Sequence, residues 1–284
     1  IMQINLLVGQ IIASTQENAI GLLNFADRIN QLPLGVIGIA VGVVLLPELA
    51  RALKAGDFDD AQHLQNRSLE FALGLTLPAA IGLMVMPGPI VSLLYERGQF
   101  TANDTALTAA ALAAFASGLP AYVLTKVFQP GFFAREDMKT PMWFSLVTVV
   151  VNIVLSLIFF PLYGHVAIAA ATSVSAWVNV LLLAVTLWRR GDFRPSAITL
   201  RRIFFMLVAS LAMGVAVWAL LTGLADFVQH GHLLIRLLTA IGIILVAAIV
   251  YFGVALASGG IDRSELSRSV RRGRKPKQVD ASGQ

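Results

Sequence analysis

NFADRINQLPLGVIGIAVGVVLLPELAR, Asn24 to Arg51, is the stretch that decides how the rest of the chain is read. It is apolar enough to lie in a bilayer, yet it carries Asp27 and Arg28 side by side. A charge at the centre of a membrane helix costs about 3 kcal/mol even on the lenient insertion scales, so it persists only where it faces protein or water. Asn24, Arg28, Gln31, Gly35, Gly38 and Gly42 follow one another at steps of four, three, four, three and four. On a helix they form one stripe, polar in its first half and glycine-lined in its second. Asp27 lies about 100° round from Arg28, near enough to temper its charge. Pro33 removes a backbone donor and is expected to bend the helix there. Two readings fit this stripe. Glycines at such spacing let helices approach closely, and an Asp–Arg pair can form a buried bridge. Alternatively, the stripe is a cavity wall that offers a cation to an anionic substrate.

Composition sets the class. Of the 284 residues, 57% are hydrophobic and only 13% charged, with a mean hydropathy of +0.78. A soluble domain carries roughly 25% charged residues, so this is an all-α, polytopic membrane protein with no room for a soluble domain of ordinary size. The absence of cysteine excludes disulfides, thiolate metal sites and cysteine nucleophiles. The chain opens on Ile1, already inside an apolar segment with no signal-peptide pattern. It reads as a fragment whose upstream part is missing.

Eight apolar segments approach the ~20 residues needed to span a bilayer. They run over 1–15, 20–50, 68–86, 105–133, 141–160, 164–188, 203–225 and 233–257, with a short helix after Pro87 ending at Tyr95. Seventeen of the 21 basic residues then fall on one side of the membrane, in the loops 51–67, 135–139 and 189–202 and in the tail after 260. Arg97 and Arg236 fall on the other, while Arg28 and Lys126 lie within segments. The positive-inside rule places the C-terminus in the cytoplasm. The tail RSVRRGRKPK reads as a topology signal and a contact with anionic lipids rather than with nucleic acid, and as disordered.

Lys126 is the second buried cation, on a face expected to hold Gly118, Tyr122 and Gln129. It is either part of a cavity or a lysine snorkelling to the interface. Asn152, Ser156 and Thr172 could form a small-cation site, but no carboxylate accompanies them, and helix–helix hydrogen bonding is the simpler account. His165, His230 and His232 lack metal spacing. No nucleophile triad, phosphate loop or zinc motif is present, so no catalytic residue, metal or cofactor is expected.

Three motifs together resemble one family. FADRINQLPLGVIGIAVGVVLLPELAR (Phe25–Arg51), LLYERGQFTANDT (Leu93–Thr105) and KVFQPGFFAREDMKTP (Lys126–Pro141) look like the bacterial lipid II flippases. These are the MurJ/MviN family of the multidrug/oligosaccharidyl-lipid/polysaccharide exporter superfamily. The resemblance implies helices seven to fourteen of a fourteen-helix protein: a transport lobe over 1–190, two additional helices over 191–258, and a basic tail over 259–284. It implies a carrier in the inner membrane that moves undecaprenyl-diphosphate-linked disaccharide-pentapeptide outward by alternating access. By the same resemblance Arg28 faces the head group and Lys126 matches a lysine common in the family. From the stripe itself Asp27, Gln31 and Asn24 are expected around Arg28, and Pro33, Gly35, Gly38 and Gly42 are expected to serve bending and packing. Gln31 stands where some relatives have a glutamate, which argues against proton coupling there. Ser156 stands where a sodium-site carboxylate would be expected, which argues against sodium coupling. A related exporter of another polyprenyl-linked glycan or of drugs is the neighbouring reading. A membrane scaffold that recruits cell-wall synthesis or division proteins is the non-transport one.

Overall fold

The computed structural model describes residues 18–224 and 233–260, without the side chains of 39–44 and 233. Among the described residues there are eight helices and no strand. They are α1 (Ala19–Lys54), α2 (Phe58–Val85), α3 (Pro87–Tyr95), α4 (Ala102–Phe133), α5 (Lys139–Tyr163), α6 (His165–Arg190), α7 (Ala197–Gly223) and α8 (Leu233–Ala257). The first expected segment, His230, His232 and the tail from 261 lie outside the described residues.

Six helices, α2 and α4 to α8, are long and apolar enough to cross a membrane, judged by length and composition among the described residues. That gives a polytopic helical bundle with six of the eight expected spans. Several helices start earlier than their apolar runs. Asp57 accepts from the Asp60 backbone N–H and starts α2 ten residues before Ser68, with Asp59 and Asp60 favouring the positive end of the helix dipole. Thr101 and Asp104 form a capping box that starts α4 at Ala102. Ser196 caps α7 by accepting from Ile198.

α4 is the central post. Two thirds of its apolar window is buried (67%), against 17% for α5 and α8, which therefore present most of their surface to the surroundings. α4 packs on α1, α2, α3 and α6. At one end of the bundle, Leu45, Leu49, Leu69, Leu73, Phe128 and Leu187 form the main apolar core. At the other, Ala26, Ile29, Val91, Leu112 and Phe115 form a second. Close approach to α6 requires Gly118. A Cβ there would sit 2.6 Å from Ser173 Oγ and 2.8 Å from its backbone Cα. α7 and α8 pack on each other, α7 also on α2 and α8 on α3, around Met213, Val217, Ile243 and Tyr251.

The basic loops gather at one end, here called the basic end. There Arg135 pairs with Asp192 at 3.1 Å, Arg190 with Asp137 at 2.7 Å and Arg202 with Glu70 at 2.8 Å. Hydrogen bonds from Arg190 and Thr140 hold the Asp137 carboxyl down at about 2. Asn66 accepts from the Ser196 N–H, and Gln62 from the Arg194 N–H, tying the α6–α7 connection to α2. A cleft of about 640 Å³ opens between these elements, lined by residues including His63, Arg67, Arg194 and Thr199.

Candidate functional site

α1 divides cleanly into two faces. Ala19, Leu22, Ala26, Ile29 and Ile37 are buried against the bundle. Gly21, Asn24, Phe25, Arg28, Gln31, Leu32 and Val36 recur at helical spacing and are exposed. Leu32 and Val36 are 66% and 75% open, in the same range as Leu162 of α5 and Ile249 of α8, both 72%. The helix runs through Pro33 and Pro47 without a break, so Pro33 does not end it.

Arg28 is exposed and, among the described residues, makes no hydrogen bond or ion pair. Asp27 instead accepts a hydrogen bond from the Gln31 side-chain amide one turn on. The two charges still act on each other across the helix surface. Asp27 also acts electrostatically on the Tyr122 hydroxyl of α4. The buried Asp–Arg bridge is therefore not what the geometry shows.

Lys126 of α4 is also exposed. Its Cγ lies 3.8 Å from where a Cβ on Gly38 would be, so the bare backbone of α1 forms the bed for the lysine stem. Gly38 stands ten residues beyond Arg28, about 15 Å along the axis. Both cations are exposed, and they stand some three helical turns apart along α1. A Cβ at Gly35 would meet nothing within 4 Å among the described residues, and Gly42 lies outside the described side chains. Gly118 does not share the Lys126 face as expected, because it is buried against α6. Two steps of four residues overshoot two turns by about 80°.

The polar residues of α5 and α6 satisfy one another. Asn152 Nδ2 donates to Thr172 Oγ1 at 3.1 Å and to Ser175 Oγ at 3.4 Å, and Ser156 donates to Asn152 Oδ1 at 3.1 Å. This is helix–helix hydrogen bonding. Among the described residues no group of three His, Cys, Asp or Glu could hold a metal ion. His165 lies 3.1 Å by Nε2 from the Leu107 carbonyl, where it joins α6 to α4.

The open face also carries an aromatic residue that no charge pattern marks. Phe25 stands one turn before Arg28, and its ring meets Tyr95 at 4.7 Å and Phe100 at 5.4 Å between centroids. Beside them Glu96 accepts from Ser92 at 2.6 Å and Thr105 at 2.9 Å, and these bonds hold its carboxyl below the usual range.

A family model described as lipid II flippase MurJ matches residues 1–257. The chain belongs to the lipid II flippase MurJ family. It is 47% identical over 282 residues to a probable lipid II flippase MurJ of Rhizobium tropici, covering 99% of this chain and 53% of that protein. A protein of the same description from Rhizobium meliloti (strain 1021) is 48% identical over 285 residues, covering 100% of this chain and 53% of the relative. The chain spans about half the length of the curated relatives it matches. Among solved structures, a lipid II flippase MurJ in an inward closed conformation aligns with a TM-score of 0.70 at 28% identity, over 88% of this chain and 51% of that one. A MATE transporter aligns with a TM-score of 0.59 at 21% identity, over 90% and 59%, a likeness of fold alone.

Proposed function

We propose that this chain is the C-terminal half of a carrier that moves lipid II, the undecaprenyl-diphosphate-linked disaccharide-pentapeptide, from the cytoplasmic to the periplasmic leaflet of the bacterial inner membrane. The observation that carries this is Arg28: an exposed guanidinium with no ion pair among the described residues, on the open face of an otherwise apolar helix. A guanidinium holds two phosphate oxygens at once, and in a site shielded from bulk water such a bond is strong. Asn24 and Gln31 lie on the same face, and with the exposed Lys126 they extend its polar reach along the head group.

In this reading the open stripe of α1 lines a central cavity, and the other half of the relatives' length supplies the opposite wall. The full protein then has fourteen helices, of which this chain holds eight. Residues 1–190 move as one lobe in alternating access, 191–258 add two outer helices, and 259–284 form a cytoplasmic tail that meets anionic lipids. The loops gathered at the basic end support that orientation. Internal hydrogen bonding of Asn152 and Ser156, with no carboxylate between them, supports a carrier that does not couple to sodium there.

The test is made in the full-length protein. Arg28→Ala is expected to stop export of the lipid-linked precursor while leaving insertion and abundance near normal. Arg28→Lys should restore it only in part, because it keeps the charge and loses the fork. Full export by Arg28→Ala, measured by a leaflet-resolved assay in cells depleted of the native carrier, would refute the assignment.

A further inference from the structure

The far end of the α1 stripe, opposite the basic end, holds a small, specific shape. Tyr95 and Phe100 brace the Phe25 ring, the second at an interplanar angle of 90°. Braced on two sides, Phe25 still remains 38% exposed. Side chains on a helix lean toward its N-terminus, so residue 25 ordinarily covers residue 21. Here the Phe25 ring turns to Tyr95 and Phe100, and the bare backbone at Gly21 is left open. Among the described residues a Cβ at Gly21 would meet nothing within 4 Å. The exposed amide of Asn24 and the guanidinium of Arg28, without an ion pair among the described residues, stand beside this slot.

Each part asks for a different group on the ligand. An aromatic face is electron-rich and attracts the weakly positive C–H groups of a flat apolar surface. The amide both donates and accepts, which matches hydroxyl or acetamido groups. The guanidinium takes phosphate oxygens. A bare diphosphate has no use for the ring, and an acyl or polyprenyl chain has no use for the amide and the cation. A sugar ring with a phosphate on its first carbon uses all three.

We propose that Gly21, Asn24, Phe25 and Arg28 form a subsite for the hexose next to the diphosphate of a polyprenyl-linked glycan, with the sugar stacked on Phe25. This rests on the transport reading above and adds to it a contact that selects the sugar. Tyr95 and Phe100 are positioning residues that hold the Phe25 ring.

The test uses the purified full-length protein and two probes, undecaprenyl diphosphate and the same lipid bearing the disaccharide-pentapeptide. Wild-type protein should bind the sugar-bearing lipid more tightly. Phe25→Leu and Gly21→Leu should each weaken that lipid roughly fivefold, the scale of one aromatic contact, and leave undecaprenyl diphosphate within about twofold. Phe25→Trp should keep the preference. Should Phe25→Leu fail to fold, Gly21→Leu decides alone, since its side chain enters open space. Equal losses for both lipids, no loss in either variant, or a wild type indifferent to the sugar overturns the subsite and leaves the transport reading standing. A wild type that binds neither lipid overturns both.

Discussion

Replacing Gly118 with alanine is expected to destabilise the bundle by an amount the geometry sets. The new Cβ would stand 2.8 Å from both Cα and Cβ of Ser173 and 2.6 Å from its Oγ. Carbon atoms rest comfortably at roughly 3.5–4.0 Å, so α4 and α6 must part by about 1 Å. Parting also stretches the 2.7 Å bond from Ser173 Oγ to the Ala114 carbonyl. Overpacking of this kind costs about 1–3 kcal/mol. Alanine's better helix propensity returns about 0.5–1 kcal/mol, leaving a net loss between about 0 and 2.5 kcal/mol, centred near 1. Gly35→Ala makes the same chemical change where nothing among the described residues lies within 4 Å, so it should be neutral or slightly stabilising. Thermal unfolding of the full-length protein in detergent, followed by intrinsic fluorescence, compares the two. Adding Ser173→Gly to Gly118→Ala should recover part of the loss, because it removes two of the three clashing atoms. A Gly118→Ala protein that melts with the wild type, or a Gly35→Ala protein that loses as much, would show that the tight crossing is not where the helices are held.

Two further outcomes follow from single bonds. Tyr251→Phe removes the hydroxyl that donates to the buried Gly74 carbonyl at 2.5 Å, and should lower stability by about 1 kcal/mol in the same unfolding assay. The Asp137–Arg190 pair should matter above the ordinary carboxyl value of 3.8 and fade as pH falls from there to about 2, because its folded-state value is depressed. Both groups are partly exposed, so the melting difference between wild type and Arg190→Gln should correspond to only about 0.2–1 kcal/mol, shrinking over that window. A difference that grows with acid would reverse the sign of the argument.

The helix bodies were readable because each apolar run has to be long enough to leave no backbone polar group in hydrocarbon. The start of α2 was not, because Asp57, Asp59 and Asp60 sit in a charged run that looks like a loop until the cap is seen. The exposure of Arg28 was foreseeable from the cost of burying its charge. That Asp27 would be taken by Gln31 was also open to inspection, since the two stand four apart. Gly118 stands at the edge of the Lys126 sector, and only the crossing with α6 decides that it is buried. Phe25 was a different matter. An aromatic residue in an apolar helix carries no sign of which way it faces, and its partners Tyr95 and Phe100 come from a distant part of the chain. Likewise only the crossing of α1 and α4 sets Lys126 on the backbone of Gly38.

The attachment of the last two helices has a consequence for how force travels through the molecule. α7 and α8 are fastened to α2 and α3 by three bonds at two levels: Arg202 to Glu70 and, one turn on, Tyr251 to Gly74, then Arg236 to Ser92 farther along. A pair riveted at two levels resists swinging about either one alone. In the carrier proposed above, a tilt of the inner helices would take the outer pair, and the lipid lying against it, along.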